Sequence, residues 1–329
     1  CGISSPREHG VDVVQAINKM NNGDVNLFFC LGGNFLSATP DTEITAKGLK
    51  NVKLTVQVST KLNRSHLVTG KTALILPCLG RTEVDLQESG KQFVTVENSM
   101  GIVHMSEGSV QPVSPYLRSE PWIISHLCNA VLPNERNWLE FANNYDNIRD
   151  LMSRALFGFE DYNNRVRKEN GFLLPNPPRD SRTFSTATGK ANLLSHPLPD
   201  LSIPEGKFVM ITIRSHDQYN TTIYDLNDRY RGVHGNRRVV LMNATDMIDR
   251  GWKSRHIVDI VSHHNGVDRR SDGWHVVAYD IPRGNIATYF PEANVLVPLD
   301  STAAKSNTPT SKWIVCSLLE PGQGVLEEE

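Results

Sequence analysis

Blocks of apolar and polar residues along the first 80 positions predict alternating helices and strands. Residues 11–18 (VDVVQAIN) carry apolar side chains at helical spacing. A second helix is predicted to open at Thr39, as N-cap, with Pro40 at its first position. Strands that alternate with helices form a parallel sheet, whose ligands bind at the carboxyl ends of the strands. The apolar runs that suit buried strands are 25–30 (VNLFFC), 54–60 (LTVQVST) and 71–78 (KTALILPC).

The pattern changes twice further along the chain. From Ser119, a candidate cap, it is helical as far as Gly171, which is expected just past a helix end. Many prolines in 172–204 indicate a connection. We therefore predict a Rossmann-like α/β section (1–118), a helical and proline-rich connection belonging to it (119–204), and a small β-barrel (205–329). The predicted barrel strands are 207–213, 237–242, 256–262, 274–280, 294–299 and 312–319.

Composition and charge narrow the function classes. The 329 residues include 34 basic and 36 acidic ones, with no long like-charge block, so no nucleic-acid partner is predicted. No apolar run approaches the roughly 18 residues of a membrane span, and no signal peptide is recognisable. The cysteines are odd in number, which favours free thiols and a cytoplasmic location. They are Cys1, Cys30, Cys78, Cys128 and Cys316, and a chain that starts at cysteine is expected to be a piece of something longer.

Two glycines and an asparagine, Gly32 to Asn34, follow the first strand, where α/β proteins often bind phosphate. An NAD site would need an acidic residue at the tip of the next strand to hold the ribose. That tip, 57–61 (QVSTK), has none. The pattern therefore disfavours NAD and leaves two alternatives open, a different nucleotide or a purely structural turn.

Motifs for metal binding or nucleophilic catalysis are missing from the sequence. It has no C-x-x-C, H-E-x-x-H, G-x-S-x-G or EF-hand pattern. His263 and His264 are adjacent, so a strand would point them to opposite faces. We therefore predict neither metal ligands nor catalytic residues in this chain.

Polar residues cluster directly after predicted barrel strands. Five of them follow the strand 207–213 and could bind phosphate or read the edge of a heterocycle. Asn243 follows the next strand, where helix capping is the alternative explanation. Lys312 ends a hydroxyl-rich loop that could equally be solvated. The five clustered residues are Arg214, His216, Gln218, Tyr219 and Asn220.

Several motifs in this order resemble the carboxyl-terminal half of molybdopterin oxidoreductases of the dimethyl sulfoxide reductase family, and formate-dehydrogenase-like alpha subunits most closely. The resemblance covers nearly the whole chain, but "RGWKSRHIVDIVS" replaces the glycine-rich turn usual after the R-G helix. The matching segments are GGNF (32–35), LILPCLGRTE (74–83), ENSMGIV (97–103), RSHDQYNTT (214–222), Asn243 with Asp246, IPRGNIATYFPEANVLVPL (281–299) and TPTSKW (308–313).

The resemblance implies a bis(molybdopterin guanine dinucleotide) molybdenum cofactor and a barrel of the double-psi type. It also implies that the metal ligand, the catalytic residues and any iron–sulfur cluster belong to an absent amino-terminal half, which would be a partner beside a small redox substrate. The implied cofactor-binding residues are Gly32, Gly33, Asn34, Gln57, Ser59 and Lys61 for one arm, and Arg214, His216, Tyr219, Asn220, Asn243, Asn294 and Lys312 for the other.

The implied function is formate-dehydrogenase-like two-electron redox chemistry in the intact protein, with this chain alone inactive. The alternative is a stand-alone nucleotide-binding or scaffolding module without catalysis.

Overall fold

The computed structural model describes residues 6–198, 200–221 and 223–323. The predicted thiol of Cys1 and the last residue of the RSHDQYNTT match, Thr222, lie outside these ranges. The chain divides into two compact units. One contains residues 6–8 and 76–198, and the other contains 9–75 together with 200–221 and 223–323. Residues 9–75 therefore share a unit with the barrel, whereas the predicted segment boundaries after residues 118 and 204 stay predictions.

A three-stranded sheet with the order β1-β2-β3 forms the α/β part of the second unit. β1 and β2 pair in parallel, as the alternating pattern predicts. Helices α1 and α3 pack on one face through Met20 and Leu49, which form a cluster with Phe28 of β1. The elements are α1 (Val13–Asn22), β1 (Leu27–Leu31), α2 (Phe35–Ala38), α3 (Thr42–Asn51), β2 (Leu54–Ser59) and β3 (Thr72–Pro77, which crosses the boundary between the units).

The start of the second predicted helix is wrong. Thr39 ends the short helix α2 instead, and its hydroxyl donates to the carbonyl oxygen of Phe35 (2.8 Å). Pro40 precedes α3, whose N-cap is Asp41 in a left-handed conformation (φ 47°). The carboxylate of Asp41 does not cap the helix, because it is used by Arg269 in a buried ion pair (2.6 Å). A tertiary contact with a distant strand thus decides where α3 begins.

A closed six-stranded barrel confirms the predicted architecture of the carboxyl-terminal region. The order is β10-β12-β11-β14-β9-β13, with parallel pairs β10/β12 and β9/β13. Its interior is filled by apolar side chains such as Trp274, Ile260 and Met210. The strands are β9 (Phe208–Ile213), β10 (Val239–Met242), β11 (Ile257–His264), β12 (Val267–Ala278), β13 (Asn285–Tyr289) and β14 (Ile314–Leu319), and one short helix, α9 (Ala244–Asp249), follows β10.

One predicted barrel strand is wrong. Residues 294–299 do not form a strand, because a 3₁₀ helix spans Glu292–Leu296. The barrel is closed by β13 instead, which pairs with both β9 and β10. The apolar run at 294–299 is buried because it packs against the barrel, so periodicity alone could not distinguish it from a strand.

The first unit contains antiparallel hairpins and helices. Ser119 caps α4 as predicted, by accepting a hydrogen bond from the amide of Trp122. The helix predicted to end at Gly171 ends five residues earlier, at Val166. Gly171 is needed for packing, since a Cβ there would meet the carbonyl oxygen of Val103 at 2.0 Å. The elements are β4 (Asp85–Gln87), β5 (Gly90–Gln92), β6 (Val94–Glu97), β7 (Ile102–Ser106), α4 (Glu120–Val131), α5 (Leu139–Asn143), α6 (Tyr145–Ala155), α7 (Tyr162–Val166), β8 (Phe172–Leu173) and α8 (Pro177–Ser181).

Within the described ranges, no helix is both long enough and apolar enough to cross a membrane. The described cysteines are free thiols. Burial raises the pKa of the Cys316 thiol, which lies inside the barrel, to about 12.

Candidate functional site

The residues after β9 form a compact loop, Arg214 to Asn220, which we call the Arg214 loop. The side chain of Gln218 holds it together. Its Oε1 accepts hydrogen bonds from the backbone amide (2.9 Å) and the hydroxyl (3.1 Å) of Ser215. Its Nε2 donates to the carbonyl oxygens of Asn220 and Phe290 (both 2.8 Å). The loop therefore has a fixed shape before any ligand binds.

Arg237 holds the Arg214 loop in place through its buried side chain, a role that was not predicted from the sequence. Its guanidinium is 4% exposed and donates to the Ser215 hydroxyl (2.9 Å) and to Gln218 Oε1 (3.2 Å). The same group pairs with Glu292 (2.7 Å) and donates to the carbonyl oxygen of Phe290 (2.8 Å). Because the buried charge is both paired and hydrogen-bonded, Arg237 can stabilise the conformation of the Arg214 loop.

A second buried charge orients His216. The Asp228 carboxylate is 1% exposed and accepts from the ring Nδ1 of His216 (3.0 Å), from Arg231 (2.7 Å) and from the Tyr289 hydroxyl (2.9 Å). Burial alone would raise the pKa of Asp228, but these hydrogen bonds outweigh burial and lower that pKa to about 2. A carboxylate at Nδ1 leaves Nε2 as the ring nitrogen available to a ligand. The ring also packs against Tyr230, with 4.6 Å between centroids.

Two cations converge at the start of the Arg214 loop. Arg214 is exposed and donates to Asn220 Oδ1 (2.5 Å). Lys312 donates to the carbonyl oxygen of Thr212. Burial and the nearby Arg214 charge lower the pKa of Lys312. Neither cation forms an ion pair with a carboxylate in the described part of the chain, so an anion placed between them would relieve their repulsion.

The remaining two predicted residues of the loop are exposed. Tyr219 is 66% exposed, and its backbone forms a bridge with Ile223. Asn220 has a left-handed backbone (φ 46°), which asparagine tolerates better than most residues.

The glycine loop, Gly32 to Asn34, has a different construction. Gly32 and Gly33 both have positive φ (71° and 78°), and a Cβ on Gly33 would point into open space. Asn34 caps α2 and also accepts a hydrogen bond from the Ser65 hydroxyl (3.0 Å). The amides of Gly33 and Asn34 have no acceptor among the described residues. The loop therefore offers backbone donors and space, which are what a phosphate requires.

At the tip of β2, the predicted residues Gln57 and Ser59 form hydrogen bonds within the protein. Gln57 is 5% exposed and donates to the carbonyl oxygen of Ser65 (2.8 Å). The Ser59 hydroxyl donates to the carbonyl oxygen of Lys61 (2.9 Å), and Lys61 is exposed. Their predicted contact with a cofactor stays a prediction.

Two predicted asparagines also make internal contacts. Asn243 caps α9, accepting from the Thr245 amide (2.8 Å) and donating to the carbonyl oxygen of Ile281 (2.7 Å). Asn294 is 4% exposed and donates to the carbonyl oxygen of Ser37 in α2 (2.7 Å). The capping alternative for Asn243 thus describes its geometry, and a cofactor contact stays a prediction for both residues.

The segment 290–294 connects the two loops. Its carbonyl at Phe290 accepts from Gln218 and Arg237 beneath the Arg214 loop. Asn294, at its other end, binds the helix that follows the glycine loop. The structure therefore brings both predicted arms of the site onto one short support within the second unit.

The two adjacent histidines have separate partners. His263 contacts Asp268 (2.7 Å), Lys207 (3.0 Å) and Ser317 (2.9 Å), while His264 lies 3.7 Å from Asp300. No group of three or more potential metal ligands is found within the described ranges.

The geometry defines a protein with two phosphate-compatible loops, one on a parallel sheet and one on a barrel. Residues 208–314, from the start of β9 to the first residue of β14, match the molybdopterin dinucleotide binding domain family. An oxidoreductase of Mycobacterium tuberculosis is 53% identical over 324 residues, and protein YdeP of Escherichia coli is 39% identical. These alignments cover 96% of this chain but only 42% and 43% of the relatives.

Among solved structures, acetylene hydratase from Pelobacter acetylenicus has a similar fold, with a TM-score of 0.63 at 15% identity. The alignment covers 94% of this chain and 46% of the hydratase. The domain match and the oxidoreductase relative support what the motif order predicts, a carboxyl-terminal part of a protein of the molybdopterin oxidoreductase family.

Proposed function

We propose that this chain holds a bis(molybdopterin guanine dinucleotide) molybdenum cofactor in an oxidoreductase with formate-dehydrogenase-like two-electron chemistry. The observation that carries the proposal is the pair Arg214 and Lys312, two converging cations without a carboxylate partner in the described residues. A phosphate group would supply the missing negative charge, and the Arg214 fork suits its oxygens. The metal centre supplies the redox chemistry when the cofactor is bound.

The other predicted residues suit the remaining parts of such a ligand. Free amides at Gly33 and Asn34 suit a pyrophosphate, and Nε2 of His216, with Nδ1 donating to Asp228, can accept a hydrogen bond from a hydroxyl or amino group of the ligand. The closed barrel with two parallel strand pairs supports a double-psi topology. Free thiols support a cytoplasmic location, and the length of the relatives supports an amino-terminal half with the metal ligand and any iron–sulfur cluster.

The test is a double substitution, Arg214→Ala with Lys312→Ala, in the complete polypeptide. We expect molybdenum content and released guanine nucleotide to fall together by at least tenfold, because a phosphate loses both of its cationic contacts. Metal analysis and mass spectrometry of the released nucleotide measure the two quantities.

The matched control is Arg255→Ala with Lys253→Ala, which removes one exposed arginine and one exposed lysine away from the Arg214 loop in the same unit. Full occupancy in the Arg214/Lys312 variant would contradict the assignment. Guanine nucleotide without molybdenum in the unmodified protein would favour the alternative of a nucleotide-binding module without redox chemistry.

A further inference from the structure

β1 is an apolar strand at a sheet edge. Its sequence, LFFCL, has no charged residue or proline, the usual protection of an exposed edge. In the described part of the chain its only strand neighbour is β2. Leu27 is 53% exposed and Leu31 is 48% exposed. An apolar edge strand without such protection is normally paired with another strand or covered, so this edge is suited to pair with a further strand.

The backbone direction shows which hydrogen-bonding groups are left at the edge. The amide of Gly32 donates to Val58, and the carbonyl oxygen of Asn26 accepts from Leu54, both on the β2 side. Because strand groups alternate, Phe28 and Cys30 also face β2. The amides and carbonyls of the remaining three residues therefore point away from β2, toward the free edge. These residues are Leu27, Phe29 and Leu31.

Chain topology indicates where the missing neighbour comes from. Helices α1 and α3 lie on the same face, since both contribute to the cluster around Phe28. The connection from β1 to β2 runs through α3, and such connections are right-handed in about 98% of cases. A strand that precedes α1 and connects through it to β1 must also make a right-handed connection on this face. The step from that strand to β1 therefore runs in the same direction as the step from β1 to β2. That strand lies beyond β1, on the side opposite β2.

We propose that the free edge of β1 binds a parallel strand from the part of the complete polypeptide that precedes α1. The relatives are more than twice as long as the matched region, so they contain enough residues to supply it. This inference does not depend on the cofactor, because it concerns the sheet edge and holds with or without bound molybdenum.

Hydrogen exchange in the complete protein, resolved to single residues, tests the proposal. The amide of Cys30 faces β2 and is an internal control that is protected in either case. We expect the Phe29 amide to exchange within about tenfold of Cys30, since it bonds to the added strand. A Phe29 amide that exchanges roughly a hundredfold faster would overturn the proposal. Protection that disappears when the protein is diluted to monomers would also overturn it, because the neighbour would then be a second copy.

Substitution gives a second measurement. Leu27→Lys with Leu31→Lys places two charges at the edge and should reduce the yield of soluble complete protein several-fold. The matched control is Leu62→Lys with Leu67→Lys, which changes two leucines of the same unit that are 72% and 85% exposed and lie off the sheet. Equal yields for the two variants would contradict the proposal.

Discussion

The Arg214 loop and the glycine loop are candidate halves of one site, yet different kinds of interaction hold each loop in place. Buried charges, Arg237 and Asp228, hold the first. Short polar side chains and left-handed glycines hold the second. Removing the partner of a buried charge lowers the free energy of unfolding strongly, because the charge is left buried without compensation. Changing a residue in a turn alters only the local backbone energy, which is small. The difference teaches that the barrel half should respond strongly to mutation and pH, and the sheet half weakly.

The largest effect is expected from substitution of the buried Arg237. Arg237→Ala leaves Glu292 without its cation and removes the donors to Ser215 and Gln218. We expect the free energy of unfolding to fall by about 3–5 kcal/mol, measured by urea denaturation. The control is the neighbouring Arg238→Ala, whose exposed side chain should matter by about 0.5 kcal/mol or less. Equal effects at the two arginines would remove the contrast between the loops.

Next in size is a pH effect at Asp228. Its folded pKa of about 2 lies below the ordinary value of 3.8, so the carboxylate stabilises the fold above about pH 4. That stabilisation, about 2 kcal/mol, is lost as the pH falls from about 4 to about 2. Asp228→Asn should therefore lower stability at neutral pH and flatten this part of the profile. Unfolding measured against pH, with the exposed Asp280→Asn as control, checks the slope.

A smaller effect is expected in the glycine loop. Gly33→Ala places a side chain at φ 78° without any steric contact, so only backbone strain of about 1 kcal/mol should appear. Gly10→Ala is the control, since that position is equally open and has no positive φ. A loss above about 3 kcal/mol in denaturation would show that the glycine loop depends on packing as strongly as the Arg214 loop.

The smallest effect is expected at the tip of β2. Ser59→Ala removes one exposed hydrogen bond to the carbonyl oxygen of Lys61. The free energy of unfolding should change by less than about 0.5 kcal/mol. If cofactor occupancy nevertheless falls in this variant, the hydroxyl contacts the ligand, and the predicted binding role of Ser59 is supported separately from stability.

Local patterns sufficed for much of this molecule. Helix α1, the first three strands and five of the six barrel strands follow from apolar spacing, and the polar cluster after β9 marked the Arg214 loop. Asn243 showed its capping role because an asparagine before a helix is a local signal.

Long-range contacts account for what the sequence did not reveal. Nothing local distinguishes buried Arg237 from exposed Arg238, since only the barrel decides which one faces Glu292. Asp228 lies in an irregular loop with no periodicity to mark it as buried. The position of Asp41 before α3 depends on Arg269, more than 200 residues away. Its partner could have been guessed only from the fold.

The segment 290–294 gives the site a mechanical property. Since one short piece of chain holds both the Arg214 loop and the helix behind the glycine loop, any ligand that stiffens one end also restricts the other. Binding of the first nucleotide arm would restrict the protein at both ends of this segment. Binding of the second arm would then cost less conformational entropy. Two dinucleotide arms held this way would bind cooperatively, and a chain caught with only one arm in place would be a short-lived species.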